Sequence, residues 1–341
     1  MRSTTFATVA ALCAWWALAL PAGPLAAQIS GLTEVQRYGW EEAAPRAAAL
    51  AQTRLGGGIL SNVADLAEGP DGALYVLDRG ESKVVVFEPN GAVRRVVGNG
   101  KGEGPGEFSR PTSIAVAPSG DLMVLDGNRV HVFDSTGQYR RVFKVTAAIP
   151  HQIRVAGGRI VVSQYVLRAG TPSIQTFDLD GTPSSTVFAP SAEDIAFSRT
   201  GASYRLADGP RGVAVAHPNP GRWTNLSGGK PLGRYVEGDN AIVPPSPSQP
   251  ASSRVTLRGF GMLPSGNGLV LYDRELAKPT RGSTESRREL VLAEIAPTGR
   301  IVRRIIMPDV GRQLLVSRDG TSFYLTVDEP TYQVVRFRLA R

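Results

Sequence analysis

The stretch from Gly102 to Phe143 constrains the fold more than any other part of the chain. It contains four short β-prone runs: one ending Ile114-Ala115-Val116, then Leu122 to Asp126, Arg129 to Phe133 and Tyr139 to Phe143. Turn residues separate them at Pro118-Ser119-Gly120, Gly127-Asn128 and Asp134 to Gly137. This order is the sequence form of a four-stranded antiparallel meander. One such sheet cannot bury both of its faces, so copies must pack on each other. A copy lies immediately upstream, where Gly69-Pro70-Asp71-Gly72, Leu74 to Asp78, Lys83 to Phe87 and a turn ending at Gly91 repeat the order. Gly72 to Gly120 is 48 residues and Gly91 to Gly137 is 46. Propeller blades recur with a period of about 40 to 50 residues.

The string Gly102-Glu103-Gly104-Pro105-Gly106-Glu107-Phe108 resembles the linker and first strand of NHL-repeat β-propellers, and Gly102 through Gly137 resembles one full repeat. The resemblance implies a fold, because these motif residues are turn and packing positions. Gly104-Pro105-Gly106 is no phosphate loop, since neither a Lys-Ser or Lys-Thr pair nor a following helix accompanies it.

The repeat predicts blades over 62–98, 111–145, 150–188, 193–226, 254–306 and 313–339. The fourth is the least regular, with inner strand Asp194 to Phe197, then Ala202 to Leu206, Val213 to Ala216 and Trp223 to Leu226. Loops are expected at Val166 to Pro172, over the proline-rich passage 227–253 and over the arginine-rich 274–288. The last blade has only three strands, and an open ring would leave a pairing edge. Leu32 to Trp40 alternates weakly and is the expected closing strand, which gives an all-β, six-bladed propeller in one domain over 28–341. Glu41 to Thr53 reads as a short helix or a loop.

Arg2, the apolar run Phe6 to Leu20 and small residues up to Ala27 have the form of a secretory leader over 1–27, with a new amino terminus at Gln28. The run is too short for an ordinary membrane span. The expected location is therefore periplasmic or extracellular, without membrane insertion. Cys13, the only cysteine, lies inside the leader, so the mature chain has no disulfide and no cysteine metal ligand. The net charge of +8 becomes +7 without Arg2 and is dispersed as arginines not interleaved with aromatics. That pattern fits a basic monomer surface and no nucleic-acid partner.

Sliding the blade-2 register along the chain places pairs of residues at one mouth of the central channel. They are Ala64 and Asp65, Thr112 and Ser113, His151 and Gln152, Glu193 and Asp194, Arg258 and Gly259, and Arg312 and Gln313. The string Pro150-His151-Gln152-Ile153-Arg154-Val155 resembles the zinc-histidine segment of the peptide-amidating lyase propeller, a family that cleaves peptidyl-hydroxyglycine using histidines from separate blades. The matching positions here are Ala64, Thr112 and Arg258, while His131 and His217 fall on third strands, so a three-histidine zinc site is not expected. A gluconolactonase-like cation site would need carboxylates with amides. Asp65, Glu193 and Asp194 supply acids and no asparagine, leaving a divalent metal only under that alternative. The repeated Asp78, Asp126, Asp273 and Asp328 read as structural acceptors of turn amides, with Arg129 as a partner for Asp126.

Three functional classes follow. The first is a non-enzymatic binding or scaffold module that holds a protein, peptide or carbohydrate at the channel mouth and rim loops, with no cofactor. The alternative is a lyase-like or lactonase-like enzyme acting on a small polar substrate, and the third is a structural part of an envelope complex. Fold alone does not choose between them.

Overall fold

The computed structural model describes residues 31–39, 60–146, 149–165, 173–188, 203–209, 212–217, 223–227, 230–236, 255–277, 287–308, 311, 313–328 and 332–339. The expected leader, the segment 41–53 read as a short helix or a loop, and the rim loop at 166–172 lie outside these residues. Strands of the described residues form six four-stranded antiparallel sheets, five ordered as meanders and the sixth completed by the amino-terminal strand. No helix among them is long and apolar enough to cross a membrane.

Blade 1 runs Val63–Glu68, Leu74–Asp78, Lys83–Phe87 and Val93–Val97, and blade 2 runs Pro111–Val116, Leu122–Asp126, Arg129–Phe133 and Tyr139–Lys144. Blade 3 is Pro150–Ala156, Arg159–Gln164, Ile174–Asp178 and Pro183–Phe188. Blade 5 is Val255–Met262, Gly268–Ala277, Arg287–Ile295 and Ile301–Met307. Its central hairpin therefore extends into the segment read as a loop from 274, where Arg274 pairs with Glu289 across the strands.

Blade 6 consists of Leu314–Val316, Phe323–Val327, Gln333–Leu339 and, on its outer edge, Leu32–Tyr38. The amino-terminal strand pairs antiparallel with the last strand, from Leu32 opposite Leu339 to Tyr38 opposite Val334. This is the closure that the three-strand count demanded, and it removes the open edge of the ring.

Blade 4 differs from the sequence reading. Its inner strand is Arg205–Gly209, followed by Gly212–Ala216, Trp223–Ser227 and an outer strand Lys230–Val236. The segment assigned as a second strand thus supplies the start of the first, and the fourth strand lies beyond Leu226. Gly209 pairs with Gly212 and closes the first hairpin tightly. The outer strand has no apolar alternation and contains Pro231, which a sheet tolerates at its edge.

Among the described residues, six apolar clusters each join two neighbouring blades. Val76, Phe87, Leu315, Tyr324 and Tyr38 span blades 1 and 6 in one of them. Others span blades 1 and 2, 2 and 3, 3 and 4, 4 and 5, and 5 and 6. Second strands such as Leu74–Asp78 are buried at every position because both faces meet another blade. Outer strands such as Tyr139–Lys144 alternate, because one face meets solvent. Gly72 and Gly120 take φ of 78° and 87° at the hairpin turns that set the period, a region where side chains other than glycine are strained.

Candidate functional site

The inner strands deliver side chains to the channel mouth through a repeated irregularity. In blades 1, 2, 3 and 5 the pairing register shifts between Val63 and Asp65, Pro111 and Ser113, Pro150 and Gln152, and Leu257 and Gly259. The extra residue of each β-bulge is Ala64, Thr112, His151 or Arg258, the position aligned from sequence. A bulge bends its strand and re-aims the side chain it carries.

The residue after each bulge ties the ring together. Asp65 Oδ2 accepts from the Ile114 amide at 3.1 Å, Ser113 Oγ from the Ile153 amide at 3.0 Å and Gln152 Oε1 from the Leu206 amide at 2.7 Å. Each side chain thus satisfies a backbone donor on the next inner strand, a buried donor that would otherwise be costly to leave unmade. The same register places Arg205 in blade 4 where Gln152 stands in blade 3.

A pocket of about 410 Å³ opens at this mouth, lined by Ala64, Asp65, Thr112, His151, Gln152 and Gln313 from the sequence-derived set. Arg79, Tyr165, Arg205, Asp328 and Tyr332 complete its polar wall with Asn62. Arg258 is committed within its own blade to Asp273, through Nε at 2.5 Å. Glu193, Asp194 and Arg312 lie outside the described residues. His131 packs edge-on against Phe108, and His217 packs against Tyr204; neither lines the mouth.

Two arginines in the channel show what the site lacks. Arg154 lies beneath the mouth, and its Nη1 and Nη2 reach Asp65 at 3.0 and 3.2 Å. Both side chains are 4% exposed. Burial opposes the Arg154 charge, but the charge of Asp65 and its hydrogen bonds outweigh it and raise the pKa. Arg205 has no such partner. No ion pair or hydrogen bond from its side chain occurs among the described residues, and its Nε is shielded from water without an acceptor. Burial therefore prevails and lowers its pKa, with Arg258 and Arg154 pushing the same way against Tyr165 and Asp65. Arg205 still carries its charge at any ordinary pH.

His151 stands beside this cation. Its ring packs edge-on to Tyr165 at 4.6 Å, and Nδ1 lies 3.3 Å from Ser203 Oγ. Burial holds its pKa well below the usual imidazole range, helped by Arg205 and then Arg154. The imidazole is consequently neutral at physiological pH and able to accept a proton or hydrogen bond.

Among the described residues, no group of three or more His, Cys, Asp or Glu side chains has the geometry to hold a metal ion. Asp65, the acid offered to a cation by the sequence, already receives Arg154, Ser113 Oγ and the Ile114 amide. A divalent cation does not fit that donor set.

A sequence family described as 6-bladed beta-propeller matches residues 60–155. No curated protein matches the chain. Among solved structures, a member of the duf4221 family from Bacteroides vulgatus is similar, with 10% identity, TM-score 0.59 and coverage of 90% of this chain and 98% of that one. A gluconolactonase from Xanthomonas campestris aligns at 15% identity and TM-score 0.54, covering 94% and 98%. Regucalcin, a calcium-binding protein from Agrobacterium tumefaciens, aligns at 11% and 0.52, covering 82% and 90%. These likenesses establish the six-bladed propeller fold.

Proposed function

We propose that the chain handles a small polar anion, or a substrate that develops an oxyanion, in the channel mouth, as a lyase-like or lactonase-like enzyme that does not use Asp65 to hold a metal. The observation that carries this reading is Arg205, a guanidinium in the pocket wall with no counter-charge bonded to it among the described residues. An anion placed there would supply what Asp65 supplies to Arg154. The pocket, about 410 Å³, matches small-molecule sites, which run from about 300 to 1,000 Å³. This favours a small substrate over the protein, peptide or carbohydrate surface recognition expected first.

The chemistry follows from the pairing of Arg205 with neutral His151. A base removes a proton from the substrate or from attacking water while negative charge builds on a neighbouring oxygen facing the guanidinium. Elimination and lactone hydrolysis share that requirement. The likeness to a gluconolactonase is consistent with this class at the level of fold. A non-catalytic binding module would use the same anion contact without turnover. The reading includes export, since 1–27 has the form of a leader; amino-terminal sequencing of the protein recovered from periplasm or medium should begin at Gln28.

Calorimetric titration with gluconate, alongside a turnover screen of small lactones, tests the site. Arg205→Gln should weaken gluconate at least about tenfold, as expected for losing a charged contact. His151→Ala should abolish turnover while leaving most of the affinity. Binding an anion beside His151 raises its pKa, so a proton is taken up and affinity should tighten as pH falls from about 7 to about 5. Unchanged affinity in Arg205→Gln would remove the site from this mouth, and binding without turnover of any substrate would leave the module reading.

A further inference from the structure

The channel has a second end, where acids outnumber bases among the lining residues. We infer that this far end is a separate ligand site, built to take a small organic monocation with an apolar body. A cavity of about 330 Å³ opens there, lined by Glu68, Asp208 and Arg318 together with Val155, Met262 and Leu315. It lies where the inner strands end, at Glu68 in blade 1 and Asp208–Gly209 in blade 4.

Two of its three charges are held by the protein. Glu68 is buried, and its Oε1 accepts from the Tyr324 hydroxyl at 2.9 Å while Oε2 accepts from the Arg318 amide. The Arg318 guanidinium donates from Nε to the Glu68 carbonyl at 2.9 Å and from Nη2 to the Val116 carbonyl at 3.0 Å. That fork pins blade 6 to blades 1 and 2 and commits two of the three Arg318 nitrogens to the wall.

Asp208 is different. Its side chain takes part in no hydrogen bond or ion pair among the described residues, and its surface is open to the cavity. The enclosing protein pushes its carboxyl pKa up, against the pull of Arg154 and Arg318. An open carboxylate in the cavity wall, without a side-chain bond among the described residues, is placed to receive a cation that enters the cavity. Two carboxylates and one guanidinium leave a single net negative charge among the described lining residues, which suits a monocation. Val155, Met262 and Leu315 offer apolar contact to the rest of the molecule. The site rests on none of the residues assigned to the mouth.

The test uses n-butylammonium as probe on the full mature chain, with ¹³C-methyl methionine labelling to watch Met262. A saturable shift of the Met262 methyl resonance is expected, with 1-butanol, the uncharged isostere, binding at least about tenfold more weakly. Asp208→Asn should lose the preference for the ammonium, whereas Arg205→Gln should keep it. Because the Asp208 side chain makes no bond among the described residues, its replacement should fold with an unfolding temperature no lower than that of the parent. No shift at Met262, equal binding of butanol, or an undiminished response in Asp208→Asn would each overturn the proposal. The butanol contrast decides on the unaltered protein even if the variant does not fold.

Discussion

At the scale of single residues, the channel is governed by which buried charge has a partner. Asp65 and Arg154 satisfy each other and, through Ser113 and the Ile114 amide, lock blades 1, 2 and 3. Removing one member should cost far more than replacing both. Asp65→Ala is expected to destabilise by roughly 3–5 kcal/mol, because it strands a buried guanidinium, and Asp65→Ala with Arg154→Met should recover part of the loss. Urea denaturation of the two single variants and the double checks this; a double loss equal to the sum of the single losses would show that the pair is no unit. The sequence displayed His151, Gln152 and Asp65 at the mouth because the blade period is regular through blades 1 to 3. It concealed Arg205, since the irregular blade 4 shifted the apparent register by a strand. The signal that locates Arg205 is the closely spaced glycine pair Gly209 and Gly212, which marks the first hairpin turn of that blade. The role of Arg154 was hidden for another reason. Its partner is 89 residues away, and nothing local distinguishes a buried arginine from a surface one.

At the scale of elements, the repeated aspartates and the closing strand did most of what their sequence positions implied. Asp78 accepts from the Ser61 and Asn62 amides and from Gly80, fastening the segment that enters its own blade. Asp126 does the same for Ser109 and Arg110 and pairs with Arg129 at 2.9 Å. These contacts were readable because they repeat with the blades. The amino-terminal strand was readable by subtraction, as a spare β-prone segment facing an incomplete sheet. Its anchor was less obvious: Tyr38 is fully buried, meets Phe87 and Tyr324 at 5.8 and 5.9 Å, and donates to the Pro89 carbonyl at 3.2 Å. Tyr38→Ala should therefore cost about 3–5 kcal/mol, as large aromatic truncations in cores do, whereas Tyr38→Phe should cost only about 0.5–1.5 kcal/mol for one hydrogen bond. Thermal and denaturant unfolding would separate the two. A near-neutral Tyr38→Ala would mean that the strand is dispensable to the ring.

At the scale of the whole molecule, the ring is a tube whose two ends carry different charge problems. Arg154, held by Asp65, stands between them. Among the described residues, neither Arg205 toward one end nor Asp208 toward the other is bonded through its side chain to an opposite charge. The number of blades, the meander within each and the closure by mixed termini could all be argued from sequence, because they depend on periodicity and on the need to bury both faces of every sheet. The sign of charge at each end could not, since it depends on which long-range pairs form inside the channel. The central claim is that the mouth around Arg205 and His151 receives an anion, and crystals soaked in bromide test it most directly. The predicted result is an anomalous peak inside the mouth within hydrogen-bonding reach of the Arg205 guanidinium, absent from Arg205→Gln crystals. Bromide found only at arginines on the outer surface, with the mouth empty at the same concentration, would contradict it.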